Sequence, residues 1–169
     1  MNLQLSGGLD VVVRPIEPGD KPLLVNGLRL LSPETQYRRF LSPKPRFTRG
    51  ELRYLTEVDG VDHVALIAVE ADHPAHVVGV ARFVRERERP DTAEFAIVVG
   101  DPYQGQGLGS ALSSLLVDEA RTRGVRRFTA VTLADNAPVQ KLIASMARHL
   151  EHVPAGNGTR AIELELDAA

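Results

Sequence analysis

Residues 92–99 alternate with a period of two. Phe95, Ile97 and Val99 fall on one face and Glu94, Ala96 and Val98 on the other, the pattern of a strand. Residues 108–120 follow a different period: Leu108, Ala111, Leu112, Leu115, Leu116 and Ala120 recur at helical spacing, and Gly124 stops the run. The same two periods predict further strands at 11–16, 64–70, 77–85, 125–133 and 161–166. A helix is predicted over 20–31, with Leu23, Leu24, Leu28 and Leu31 on one face behind an Asp20 cap. Another covers 32–40, where Ser32 caps and Pro33 suits the first turn, and a short one covers 49–56. A last helix opens at Asp135-Asn136-Ala137-Pro138 and turns Val139, Leu142, Ile143 and Met146 inward. Pro15 and Pro18 end the first strand, Asp72-His73-Pro74 is a turn, and the charged stretch 85–89 with Pro90 is an exposed hairpin tip.

Composition adds limits to this order. A chain of 169 residues with 43% apolar and 25% charged side chains suits one soluble domain, 1–169, with its core over 11–166. The formal net charge of -2 leaves no electrostatic footprint for nucleic acid or an anionic membrane surface. Cysteine is absent, which excludes disulfides, thiolate nucleophiles and cysteine-based metal sites. The five histidines form no H-E-x-x-H pair and no cluster with carboxylates at ligand spacing, so no metal is expected. No apolar run reaches about 18 residues and the first ten lack the order of a secretory leader, so the expected location is cytoplasmic.

The glycine-rich segment Gln104-Gly105-Gln106-Gly107-Leu108-Gly109 joins the strand at 92–99 to the helix at 108–120. Successive backbone N–H groups in such a loop converge on one point, and the helix dipole adds partial positive charge, which suits a phosphate or pyrophosphate. A plain tight turn into a helix is the alternative reading. A P-loop would end in Gly-Lys-Ser/Thr, whereas Gly109-Ser110 has no lysine between them. A dinucleotide fingerprint would place its glycines after the first strand rather than late in the chain. Ser110 has no histidine and acid partners in the pattern, and reads as a phosphate ligand or helix cap rather than a nucleophile.

Gln104-x-x-Gly107-x-Gly109 resembles the Q/R-x-x-G-x-G/A signature of the GNAT superfamily of N-acetyltransferases, and the order of elements over 11–166 agrees with it. The resemblance implies an α/β GNAT fold: a mixed, mostly antiparallel central sheet of about six or seven strands, flanked by helices and splayed between the fourth and fifth. It also implies acetyl-CoA as cosubstrate. The loop and helix start, Gln104, Gly105, Gln106, Gly107, Leu108, Gly109 and Ser110, would hold the pyrophosphate. Ile97, Val98 and Val99 would contact pantetheine, and Asn136 would bond the same ligand from the far side.

A narrower resemblance is carried by Arg14-Pro15-Ile16, by Ser32-Pro33-Glu34 with Tyr37, Arg39 and Phe40, and by Ala93-Glu94-Phe95-Ala96. These are similar to the Pat-type bacterial protein-lysine acetyltransferases, which implies a protein lysine as acceptor and Glu94 as general base. An amine with a reference pKa of about 10.4 arrives protonated, and only the free amine attacks a thioester. A carboxylate in hydrogen-bond reach, directly or through one water, can take that proton. The apolar sequence neighbours of Glu94 suggest partial desolvation; the alternative is a glutamate facing solvent or paired with an arginine such as Arg82. The sequence departs from the superfamily at Ile143, seven residues after Asn136, where many members carry a general-acid tyrosine. The coenzyme A thiol, with an acidity near about 8.5, can leave without full protonation. A small-molecule amine or a protein N-terminus is the alternative acceptor, and a non-catalytic acyl-CoA sensor the alternative role. A homodimer is compatible with the resemblance.

Overall fold

The period-two segments close into one twisted sheet in the computed structural model, which describes residues 1–166. Its strands are β1 (Asn2–Gln4), β2 (Asp10–Pro15), β3 (His63–Glu70), β4 (Val77–Arg85), β5 (Thr92–Val99), β6 (Arg127–Leu133), β7 (Ala147–Gly156) and β8 (Thr159–Leu166). The helices are α1 (Lys21–Leu30), α2 (Pro33–Phe40), α3 (Arg49–Thr56), α4 (Leu108–Thr122) and α5 (Ala137–Met146). The strands lie in the order β1-β2-β3-β4-β5-β6-β8-β7, and every neighbouring pair is antiparallel except β5 and β6. This is the mixed, mostly antiparallel α/β sheet flanked by helices that the resemblance implies, with eight strands where six or seven are expected.

The two additional strands carry little periodic signal. β1 has three residues, and β7 mixes His149, Glu151 and His152 with Pro154. β7 forms because it is an edge strand, where a proline removes no essential ladder bond. It turns back on β8 through Asn157-Gly158, both with positive φ (50° and 71°), the dihedrals that a two-residue hairpin loop favours. Asp20 holds the N-cap position of α1, as expected, but its side chain makes no cap bond there. It ends a 3-10 turn, and its carboxylate takes a bidentate fork from Arg14 (2.8 and 2.7 Å) and the N–H of Glu17 (2.8 Å). Ser32 does cap α2, accepting from Thr35 N–H at 3.1 Å.

Each sheet face has its own core. On one, Phe83, Phe95 and Phe128 pack beneath Leu108, Leu112 and Leu116 of α4, with the Phe95 and Phe128 rings stacked 5.5 Å apart. Removing one such fully buried leucine to alanine costs about 2–5 kcal/mol. Gly79 in β4 permits this approach, since a Cβ there would stand 3.1 Å from Leu112 Cδ1 and 3.2 Å from Val98 O. On the other face Ile16, Leu24, Ala65, Ile67, Val69 and Val80 pack beneath the first three helices.

β5 and β6 pair only from Thr92↔Arg127 to Glu94↔Thr129, although β5 runs on to Val99 and β6 to Leu133. Beyond Glu94 the two strands diverge. This is the expected splay, now between the fifth and sixth strands because β1 precedes the predicted set.

Candidate active site

Where β5 leaves β6, part of its backbone loses a partner. Against β4, Glu86 N–H donates to Thr92 O (2.9 Å) and Gly100 N–H to Val78 O (2.9 Å). Antiparallel hydrogen-bonded pairs alternate, so even-numbered residues from 92 to 100 direct their backbone groups to β4. Ile97 and Val99 therefore present their N–H groups to the opening. Val98 does not: its backbone faces Val80, and its side chain joins the core under α1–α3. Of the three residues expected along pantetheine, Ile97 and Val99 thus turn their N–H groups to the opening, with Val99 O taken by Gln104, and Val98 offers none. The opening is a cleft of about 750 Å³ that also reaches the loop after β5, α5 and α2.

The loop is a main-chain device. Gly105 (φ 72°) and Gly107 (φ 88°) occupy the left-handed region that a Cβ disfavours. Gly107 is the N-cap of α4 and supplies no side-chain cap, and the first turn carries no acidic residue. The first helical bond is Ala111 N–H to Gly107 O (3.0 Å), so the N–H groups of Leu108, Gly109 and Ser110 have no partner inside the helix. They face outward at the positive end of a 15-residue helix, an arrangement suited to an anion. At Gly109 a Cβ would make only ordinary contacts, 3.7 Å to Leu142 Cδ2 and 3.9 Å to Val99 Cγ2. Its place in the signature accordingly admits alanine.

The side chains of both loop glutamines hold the loop itself. Gln104 Nε2 donates to Val99 O (3.0 Å) and Thr35 Oγ1 (3.3 Å), and Gln106 Nε2 donates to Pro102 O (2.8 Å). What they offer a ligand is main chain. The segment between β1 and β2 braces the loop as well, with Ser6 N–H donating to Gln106 O at 3.3 Å. Asp101 ties it to α2: its carboxylate accepts from Ser32 N–H (2.9 Å), Ser32 Oγ (2.7 Å) and Thr35 Oγ1 (2.7 Å). Burial pushes the Asp101 carboxyl up, but the hydrogen bonds from Ser32 and Thr35 together hold it below its ordinary value. No sequence motif marks this tie, because its partners lie 66 and 69 residues apart.

Across the cleft, Asn136 caps α5 through Oδ1, which accepts from Val139 N–H at 3.4 Å, leaving Nδ2 for the opening. Thr132 of β6 is buried, lines the cleft, and has no hydrogen-bond partner for Oγ1 among the described residues. Sequence reasoning passed over it; the signal was a hydroxyl sharing a strand face with apolar Phe128 and Ala130. Ile143 is fully buried in the wall, in the place expected for a tyrosine.

Glu94 stands on the opposite wall with its side chain exposed, so the desolvation expected from its neighbours is not present. The reason is geometric: Ala93 and Phe95 point to the other face of the strand. An ion pair with Arg82 is not formed either. Register sets Arg82 opposite Ala96 and Glu94 opposite Val84, which makes the two diagonal neighbours on one face. Arg82, 5% exposed, lies between Ala65 and Ala96, donates Nη1 to Leu55 O (3.1 Å) and meets His63 Nε2 at 3.1 Å. Burial and then the charge of Arg82 push His63 down to about 4, so its imidazole is neutral at pH 7 and accepts that bond. Burial and the charge of Arg39 push Arg82 down to about 10. Burial also lowers Arg39, while the field of Glu94 opposes the shift.

The sequence profile of the Acetyltransferase (GNAT) family matches residues 30–147. Acetyltransferase Pat of Mycolicibacterium smegmatis is 42% identical over 141 residues, which are 83% of this chain and 42% of that protein, so the chain spans less than half of that relative's length. The crystal structure of the GNAT domain of S. lividans PAT superposes with a TM-score of 0.86 at 30% identity, covering 98% of this chain and 96% of that one. YncA of Salmonella typhimurium, solved with its cofactor acetyl-CoA, shares the fold at a TM-score of 0.69 and 21% identity, over 94% of this chain and 95% of that one.

Proposed function

The chain belongs to the GNAT family of acetyltransferases, and from that premise we propose that it moves an acetyl group from acetyl-CoA to a protein lysine side chain, with Glu94 as general base. The observation that carries the reading is the divergence of β5 from β6 beside the start of α4, where the N–H groups of Leu108, Gly109 and Ser110 have no partner inside the helix. The pyrophosphate sits on the N–H groups of residues 107–110. Pantetheine runs along β5 and pairs with the main chain of Ile97 and Val99, as an added strand would. Nδ2 of Asn136 donates from the far wall. The lysine acceptor is supported by the Arg39-Phe40 and Ala93-Glu94-Phe95-Ala96 similarities to Pat-type enzymes.

The chemistry follows from these placements. Glu94 takes the proton of the incoming ammonium, directly or through one water, and passes it to solvent at its exposed position. The amine nitrogen forms a bond to the thioester carbonyl carbon, and the charge on the carbonyl oxygen is held by a β5 backbone N–H at Ile97 or Val99. The nitrogen, positively charged once bonded, gives up its second proton to water or to Glu94 ionised again, and the carbon–sulfur bond breaks. Coenzyme A leaves as a thiolate and takes its proton from water, so no side chain is needed at Ile143 for that step. Glu94→Gln tests the assignment: acetyl-CoA should bind with unchanged affinity while acetylation of lysine-bearing proteins collapses. Turnover at the wild-type rate would remove Glu94 as the base.

A further inference from the structure

A second cavity, of about 440 Å³, lies between the first helices and the face of β4 and β5 that carries Glu94. Its wall is mostly apolar, built from Leu24, Leu28, Phe40, Phe47, Val80 and Val98. Two cations interrupt that wall. Arg39 lines both this cavity and the cleft, and Arg82 lines the cavity floor. We infer that Arg39 and Arg82 form a carboxylate-binding subsite where the cavity meets the cleft, so that one of the two substrates carries a carboxylate on a short apolar arm beside the reacting centre.

The case rests on what these guanidiniums lack. Arg38, next in sequence, is partnered by Glu34 at 2.6 Å, and Arg14 and Arg85 have carboxylates at 2.7 Å. Arg39 and Arg82 have no carboxylate in ion-pair range among the described residues; Arg39 lies 5.0 Å over the Phe40 ring instead. Arg82 is buried and Arg39 half-buried beside it; a buried charge left unpaired is costly, and one next to a like charge more so. On Arg82 only Nη1 is engaged, by Leu55 O and His63 Nε2. The Nε and Nη2 edge, the fork that meets a carboxylate in two parallel bonds, makes no bond to a described residue. Glu94 shares the sheet face but does not fill that edge. A flat monoanion with an apolar arm matches both the fork and the wall; a phosphate dianion would bring far more charge into apolar surroundings.

The inference rests on the acyl-transfer reading of the cleft, and the carboxylate has two sources there: the acyl group of the donor or the acceptor amine. In a direct test, butyrate and butyramide are titrated calorimetrically into the protein in the presence of coenzyme A. Butyrate should bind roughly 10- to 100-fold more tightly, the size of a charge-assisted hydrogen bond, and Arg82→Met should abolish the difference. Two rate comparisons assign the source. Succinyl-CoA against butyryl-CoA on a lysine peptide reads the donor; acetyl-CoA with leucine against leucinol reads the acceptor. One pair should prefer the carboxylate by a similar factor, and Arg39→Met and Arg82→Met should bring the ratio of the two rates, measured within each variant, to about one. Arg82→Met should melt no lower than wild type; if it fails to fold, Arg39→Met carries the comparison. Butyrate binding no better than butyramide, together with no carboxylate preference in either pair, would overturn the inference while leaving acetyl transfer intact. Butyrate selectivity without any acyl transfer would keep the subsite and overturn the reaction.

Discussion

In the proposed reaction, the two sides of the cleft recognise their ligands by opposite means. The donor wall uses main chain: two glycines with positive φ, the open first turn of α4 and the free edge of β5, with both loop glutamines turned inward as braces. The acceptor side offers side chains: Arg39 of α2 and Glu94 of β5 line the cleft, and Arg82 of β4 lines the adjoining cavity beside His63 of β3. A main-chain site constrains backbone dihedrals and leaves most side chains free, so it appears in sequence as glycines. A side-chain site can be rebuilt by single substitutions, which lets acceptor choice change without disturbing the donor.

The sharpest way to separate the walls is Glu94→Gln. It should lower kcat by about 10²–10⁴-fold, the usual range for a general base, with no change in the calorimetric Kd for acetyl-CoA. Loss of both together would mean that the two walls are not independent. The donor wall is broken in the reverse sense by Gly107→Ala. A Cβ at φ 88° costs about 1–2 kcal/mol in stability and should weaken acetyl-CoA binding by about tenfold, whereas Gly109→Ala should leave both nearly unchanged. Melting curves with and without acetyl-CoA read the pair.

Thr132→Val sharpens the donor wall further. The hydroxyl is buried without a hydrogen-bond partner among the described residues, so the free protein should melt no lower, and acetyl-CoA affinity should stay within twofold because Oγ1 presents no surface to the cleft. The last effect concerns His63. Its folded value, about 4, lies below the unfolded value, so between about 6.5 and 4 the unfolded chain binds a proton that the folded chain does not. Stability from this group is complete above pH 6.5 and declines as pH falls toward 4. In His63→Gln that part of the melting-temperature slope should flatten, and acetyl-CoA binding should be untouched.

The same contrast explains what could be read from sequence. The strand at 92–99, the glycine loop and the α4 periodicity are local, and they mark the fold and the donor in the sequence itself. β7 was not legible, because its stability comes from pairing with β8 at the sheet edge rather than from its own polar pattern. Val98 looked like its neighbours Ile97 and Val99; only the register against β4 shows that its backbone is already committed. For Glu94, flanking alanines and a phenylalanine suggested burial, yet alternate strand residues point to opposite faces and its side chain is exposed. Arg39 and Arg82 meet through helix packing on the sheet, a proximity that spacing does not encode.

The central claim is that acetyl-CoA is held by main-chain N–H groups at the loop between β5 and α4. An amide-resolved nuclear magnetic resonance titration with acetyl-CoA tests it most directly. The largest saturable shifts should fall on the N–H groups of Gly105, Gly107, Leu108, Gly109 and Ser110, with Ile97 and Val99 next and Val98 little changed. No saturable shifts in that loop, or shifts confined to the helices of the acceptor wall, would contradict it.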